Sequence, residues 1–199
     1  MTTPPDADPI ARFKVLLAEA ERVPRDVLPE PTAFALGTVD DAGRPSVRIL
    51  LLKGVDEHGF VFYTNHESRK GRELRATKRA ALCFHWQPLE VQVRVEGLAS
   101  VVADAEADAY FASRARGSQL GAWASLQSER MPADSSLDER LTDVERRYAG
   151  RAVPRPPHWS GFRVVPETIE FWKGMPSRLH VRHLYRRAGD AWRVERLYP

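Results

Sequence analysis

The chain has 199 residues, 43% hydrophobic and 29% charged, with a formal net charge of +3. That is enough for one domain, 1–199, with a proper core, and a charge this mild, with no Lys/Arg-rich tract, argues against a nucleic-acid partner. No apolar run approaches the ~20 residues that span a bilayer, and the single cysteine, Cys83, rules out an intrachain disulfide framework and suits a reducing cytoplasm.

The opening "MTTPPDADPI" has neither the basic nor the apolar region of a secretory signal, and residues 1–8 are expected to be flexible. "DADPIARFKVLLAEAERV" opens with Asp and Pro at a cap and repeats apolar residues at Ile10, Phe13, Leu16 and Leu17, an amphipathic helix. "PTAFALGTVDDAGRPSVRILLLKGV" reads as a hairpin turning at "DDAGRP". "FVFYTN" is a third strand, and "HESRKGRELRATKRA" a short charged helix that Asn65 or Ser68 caps. "ALCFHW" and "VQVRVEGLASVV" are two more strands, with Cys83 read as a small core residue.

The middle of the chain changes character. "DAEADAYFASRARGSQLGAWAS" and "SLDERLTDVERRYAG" have helical period, and the proline-rich "RAVPRPPHW" is an extended connector. "GFRVVPETIEFWKG", "RLHVRHLYRR" and "AWRVERLYP" return to strands, the last two joined as a hairpin at "AGD". One open antiparallel sheet would leave long exposed edges, so the expected fold is α+β, mainly antiparallel β: a β-barrel with flanking helices.

Four stretches place polar groups where a core does not need them. In "RILLLK", Arg48 and Lys53 bracket four aliphatic residues with opposite parity along the strand. In "YTNHESRK", Arg69 and Lys70 sit in the first turn of a helix, where cations oppose the macrodipole unless an anion binds. In "YFASRARGS", Tyr110, Arg114 and Ser118 are spaced by four, on one helix face suited to a phosphate dianion, with Gly117 able to end the helix early. In "RLHVRHLY", alternation would put Arg178, His180 and Arg182 on one face and Leu179, Val181 and His183 on the other, preceded by Trp172, a flat side chain able to line a planar ring. There is no GxSxG, P-loop or GxGxxG. The histidines lack HExxH spacing and one cysteine cannot build a zinc site, so no metal is expected. Two anion sites, an aromatic wall and a basic strand fit a phosphorylated cofactor with a phosphorylated substrate.

"RILLLK", "FYTN", "SRKGREL", "YFASRARGSQLGAW", "LQSER", "IEFWKG", "RLHVRHLY" and "RLYP", in this order and spacing, resemble the pyridoxamine 5'-phosphate oxidase family across roughly residues 8 to 199. The resemblance implies an FMN-binding split barrel, a homodimer with FMN at the interface, and oxidation of pyridoxine or pyridoxamine 5'-phosphate to pyridoxal 5'-phosphate. In that reaction hydride passes from the substrate to the flavin, and dioxygen is reduced to hydrogen peroxide. By the same match, FMN is held by Arg48, Ile49, Leu50, Leu51, Leu52, Lys53, Tyr63, Thr64, Arg69, Lys70, Gln92, Gln127, Ser128, Trp172 and Arg182. The substrate phosphate meets Lys53, Tyr110, Arg114 and Ser118. Arg178 and His180 are the catalytic pair on the pyridine side, with the imidazole suited to proton movement near neutral pH.

Two departures stand out. The family strand commonly reads Arg-Leu-His-Asp-Arg, and here Val181 replaces the aspartate. An upstream Arg-Arg-x-Tyr segment, which helps cover the substrate in many members, has no counterpart in "MTTPPDADPI". Two other readings therefore remain: an FMN oxidase of the same fold with another substrate, as in the phenazine-biosynthesis relatives, and a non-catalytic FMN- or pyridoxal-phosphate-binding protein.

Overall fold

The structure, a computed structural model, describes residues 8–199. The expectations about the extreme N-terminus therefore lie outside the described residues, apart from Asp8. That residue caps helix α1 (Pro9–Arg22): its carboxylate accepts from the Ile10 N–H at 2.8 Å, and Pro9 occupies the first turn, where a missing N–H costs nothing. Ile10, Phe13 and Ala20 of α1 are buried.

The expected hairpin forms between β1 (Ala33–Val39) and β2 (Pro45–Leu51). Its turn is held by the Asp40 carboxylate, which accepts from the backbones of Ala42 and Arg44. The remaining strands are β3 (Gly54–Asp56), β4 (Gly59–Asn65), β5 (Arg79–Trp86), β6 (Val91–Val101), β7 (Trp159–Lys173), β8 (Val181–Ala188) and β9 (Ala191–Leu197). Helix α2 (Arg69–Thr77) follows β4, and α3 (Asp104–Ser113), α4 (Arg116–Ala124) and α5 (Leu137–Arg147) lie between β6 and β7. Among the described residues no helix is long and apolar enough to cross a membrane.

All strand pairings are antiparallel, in the order β2-β1-β5-β6-β7-β4-β3, with β8 and β9 added beside β7. The two ends of that order, β2 and β3, are separated only by Leu52 and Lys53. The sheet therefore curls back on itself, with the Lys53 N–H donating to the Val61 carbonyl at 2.8 Å. Strand β7 is where the barrel splits. Its first half pairs with β4 and its second half with β8, while β6 runs along its other side. A bulge at Glu96/Gly97 bends β6 against Pro166, and Gly97 is required there because a Cβ would lie 2.1 Å from the Val165 carbonyl oxygen.

The interior is aromatic. Phe13 of α1 packs edge-on against Phe60 and Phe84 at centroid separations of 4.8 and 4.9 Å, and Phe34, Phe62, Trp86, Phe162, Phe171 and Tyr185 are buried in the same cluster.

Three local readings are corrected. The segment holding Tyr110, Arg114 and Ser118 is not one helix: α3 ends at Ser113, Arg114 is extended (φ −71°, ψ 147°), and α4 begins at Arg116. Gly117 lies inside α4 and ends nothing. Strand β8 begins at Val181, because Ser177 and Arg178 both take positive φ in a 3-10 turn after Pro176, so strict alternation does not govern Arg178 and His180. Cys83 is half-buried on the outer face of β5, opposite Arg94, since alternation gives the inward positions to Leu82 and Phe84.

Candidate functional site

One carboxylate organises two of the expected cofactor cations. Glu73, 5% exposed on α2, accepts from the hydroxyls of Thr38 (2.5 Å) and Ser46 (2.7 Å) through Oε2, and from Arg69 Nε (2.8 Å) through Oε1. Arg48 Nη2 approaches the same carboxylate at 3.5 Å while donating to Ser46, and Arg48 Nη1 donates to Thr38 and to the Leu36 carbonyl. Burial pulls the Glu73 carboxyl upward, but the hydrogen bonds from Thr38, Ser46 and Arg69 outweigh it and hold it at about 2. The sequence reading missed Glu73. Its signal was the i,i+4 spacing from Arg69.

Lys70 is the opposite case. It is 7% exposed, and its Nζ lies 3.2 Å from Thr64 Oγ1, 3.2 Å from Ser68 Oγ and 3.0 Å from Gln127 Oε1, all neutral acceptors. Burial, and secondarily the Arg48 charge, push the ammonium down to about 8. Ser68 is the cap of α2, accepting from the Gly71 N–H, so free backbone N–H groups of the first turn lie alongside. The cations of that turn are thus resolved: Arg69 turns to Glu73, and Lys70 has no counter-ion among the described residues.

Beyond Thr64 lies a cavity of about 360 Å³, lined by Leu50, Tyr63, Thr64, Arg114, Ser118, Gln127 and Trp159 among others. Tyr63 stacks on Tyr110 at 3.9 Å and on Trp159 at 5.4 Å, with planes within 13° and 9°. Gly161 permits this, since a Cβ there would sit 2.8 Å from the Tyr63 ring. Burial raises Tyr63 to about 12, with Glu106 adding to the shift, so its phenol stays protonated. The Arg114 guanidinium lies over Trp159 (4.7 Å), its Nη1 is buried without a hydrogen-bond partner among the described residues, and burial disfavours its charge. A buried N–H left unpaired is costly, and an anion in the cavity would satisfy it. The break between α3 and α4 still leaves Arg114 and Ser118 on one cavity wall, with Tyr110 behind it. Trp159, which follows the proline-rich connector, had no local signal marking it as a site residue.

A second cavity of about 520 Å³ is lined by Leu179, His180, Val181, Arg182, Arg196, Leu197, Tyr198 and Pro199. Strand register sets Gln92, Trp172 and Arg182 side by side across β6, β7 and β8. Trp172 is half-exposed rather than core, with the His180 ring 4.6 Å away. Arg182 Nε donates to Glu170 (2.7 Å) and Nη1 to the Tyr198 carbonyl (3.0 Å). His180 Nδ1 accepts from the Met175 N–H at 3.2 Å, which puts the proton of the neutral ring on Nε2. Arg178 is exposed in the preceding turn.

The two cavities share no lining residue within one chain. Lys53 is exposed and lines neither of them. Ile49 is 65% exposed on the outer face of β2, Leu50 lines the Arg114 cavity, Leu51 is half-buried, and Leu52 is in the core. Ser128, at φ +73°, lines a third cavity of about 280 Å³ with Gln127.

A family model described as "Pyridoxamine 5'-phosphate oxidase" matches residues 21–173, and one described as "Pyridoxine 5'-phosphate oxidase C-terminal dimerisation region" matches residues 159–199. The chain is 60% identical over 192 residues to a pyridoxine/pyridoxamine 5'-phosphate oxidase of Myxococcus xanthus (strain DK1622), covering 96% of this chain and 92% of that one. It is 56% identical over 205 residues to the Rhodospirillum rubrum protein of the same name, covering both in full. Among solved structures, PhzG from Burkholderia lata 383 in complex with tetrahydrophenazine-1-carboxylic acid superposes with a TM-score of 0.88 at 32% identity, over 98% of this chain and 94% of that one. A pyridoxamine 5'-phosphate oxidase-related, FMN binding protein from Nostoc punctiforme PCC 73102 shares the fold (TM-score 0.74, 17% identity, 98% and 99% covered). With a model match over most of its length and relatives above 50% identity along nearly the whole chain, the protein belongs to the pyridoxamine 5'-phosphate oxidase family.

Proposed function

We propose that this protein is an FMN-dependent oxidase that converts pyridoxine or pyridoxamine 5'-phosphate to pyridoxal 5'-phosphate, with dioxygen as acceptor and hydrogen peroxide as product. The observation that carries the reading is the pair of unmatched buried cationic groups: Lys70, ringed by neutral oxygens, and Arg114, with an orphaned Nη1. Two such centres ask for two anions, and a phosphorylated cofactor with a phosphorylated substrate supplies both.

In this reading Lys70, with Thr64 and Gln127, takes the cofactor phosphate, and Arg48 and Arg69, aligned by Glu73, add charge around it. Gln92, Trp172 and Arg182 form the wall for the ring system, and Tyr63, Ser128 and the Arg48–Lys53 strand complete the site. FMN supplies the two-electron acceptor. Arg114, Ser118 and Tyr110, with Lys53, hold the substrate phosphate, so binding energy remote from the reacting carbon fixes its position. His180 presents Nε2–H toward the substrate while its Nδ1 stays tied to Met175. Arg178 orients the pyridine side through its guanidinium N–H donors. Val181, in place of the family aspartate, pairs with Lys173 in the sheet and leaves the His180–Met175 contact standing.

The separation of the two cavities within one chain supports a homodimer, in which the His180 cavity of one subunit completes the Arg114 cavity of the other. Val47 and Ile49, 71% and 65% exposed on β2, are apolar surface available for that contact. The reading treats residues 1–199 as one FMN-binding split-barrel domain, in keeping with a single nine-stranded sheet, and sets the enzyme in the cytoplasm, where lone Cys83 stays reduced.

The test is direct. Purified protein should be yellow, and pyridoxine 5'-phosphate in air should yield pyridoxal 5'-phosphate and hydrogen peroxide in equal amounts. A yellow protein whose flavin is not bleached by either B6 phosphate without oxygen would refute the reading and turn attention to a substrate of another kind.

A further inference from the structure

Ser160, on β7, belongs to none of the residue sets assigned so far. It is 4% exposed, and its Oγ has no hydrogen-bond partner among the described residues. It stands directly opposite Thr64 in the β4–β7 register, so the two side chains share one face with Cβ atoms about 5 Å apart. The next pair along that face is Phe62 and Phe162, both buried, which closes the apolar side. Across the strand pair Ser160 faces Thr64, whose Oγ1 lies 3.2 Å from Lys70 Nζ. A buried hydroxyl without a partner and a buried ammonium without a counter-ion thus flank the same threonine.

A phosphate dianion would answer both needs. Lys70 and the free N–H groups at the start of α2 supply charge and donors from one side, and Ser160 holds an unused O–H on the other. We infer that Ser160 is a further ligand of the cofactor phosphate, its hydroxyl donating to a phosphate oxygen seated at Lys70. The inference rests on the FMN reading above and deepens it by fixing which end of the cofactor meets β7.

The experiment compares wild type, Ser160→Ala and Lys70→Met as apo-proteins, titrated with FMN and with riboflavin, which lacks the phosphate, by quenching of flavin fluorescence. Ser160→Ala should weaken FMN about ten-fold, a loss of about 1.4 kcal/mol, and leave riboflavin within two-fold; Lys70→Met should do the same more strongly. The ³¹P resonance of bound FMN should also shift in Ser160→Ala while the visible flavin spectrum stays unchanged. Unaltered FMN affinity with an unmoved ³¹P line would overturn the inference. So would equal weakening of FMN and riboflavin, the signature of a hydroxyl that only supports the fold, for instance by donating to the unpartnered His66 Nε2. Failure of wild type to bind FMN at all would overturn the FMN reading along with this one, whereas tight wild-type binding with an indifferent Ser160→Ala overturns this one alone.

Discussion

Replacing Glu73 by glutamine keeps the shape of the side chain and removes its charge from beneath Arg48 and Arg69. The folded carboxyl sits at about 2 against an ordinary 4.5, and a depressed carboxyl contributes stability that is fully present above the unfolded value and is lost as pH falls toward the folded one. The shift corresponds to about 3 kcal/mol at pH 7 and, by the same linkage, about 1.4 kcal/mol at pH 3. Glu73→Gln should therefore be less stable than wild type by about 3 kcal/mol at pH 7, and the gap should close to roughly half at pH 3. Urea denaturation of both proteins at matched protein and flavin concentrations reads the difference. A gap that is the same at both pH values, or one below about 1 kcal/mol at pH 7, would refute the electrostatic account and leave Glu73 as a packing residue.

Further outcomes follow from the same geometry. Lys70, lowered to about 8 in the fold, carries its cation below that pH only, so FMN affinity should fall as pH rises through about 8. Apo-protein stability should rise over the same window toward 10.5, where the unfolded chain still binds the proton and the folded one does not. Fluorescence titrations and urea curves from pH 6.5 to 9.5, with Lys70→Met as the flat control, check both signs. Arg114→Ala should raise KM for pyridoxine 5'-phosphate by about a hundred-fold, since a charge-assisted contact of ~3 kcal/mol is lost, while FMN affinity is unaffected; steady-state kinetics beside a flavin titration separates the two. Gly161→Ala would force a methyl into the Tyr63 ring and should cost about 1–3 kcal/mol, measured by thermal melting, with KM rising as the aromatic stack shifts. Val47→Asp, on the exposed face of β2, should leave the subunit folded and shift it to monomer in size-exclusion chromatography with light scattering.

Much of this protein was legible in one dimension because its signals are local. The Asp–Pro cap and apolar spacing define α1, the "DDAGRP" turn sets the register of β1 and β2, and alternation in "VQVRV" places Val91, Val93 and Val95 inward. The ordered motifs named the family and nominated its cations. Local pattern also misled where a backbone break competes with periodicity: the turn at Arg114–Ala115 interrupts a four-residue spacing, and positive φ at Ser177 and Arg178 delays β8 until Val181. Neither break carries a proline or glycine at the residue that turns.

What only the tertiary structure decided is charge pairing, because a cation's role depends on which carboxylate the fold brings within reach. Arg48, Arg69 and Lys70 look equivalent in sequence. The fold gives Arg48 and Arg69 the buried Glu73, reached from two strands and a helix, and leaves Lys70 among neutral oxygens from β4, the α2 cap and the segment after α4. Strand register likewise sets Ser160 beside Thr64 across 96 positions of sequence, a pairing that backbone hydrogen bonds between distant segments create and that no local spacing encodes.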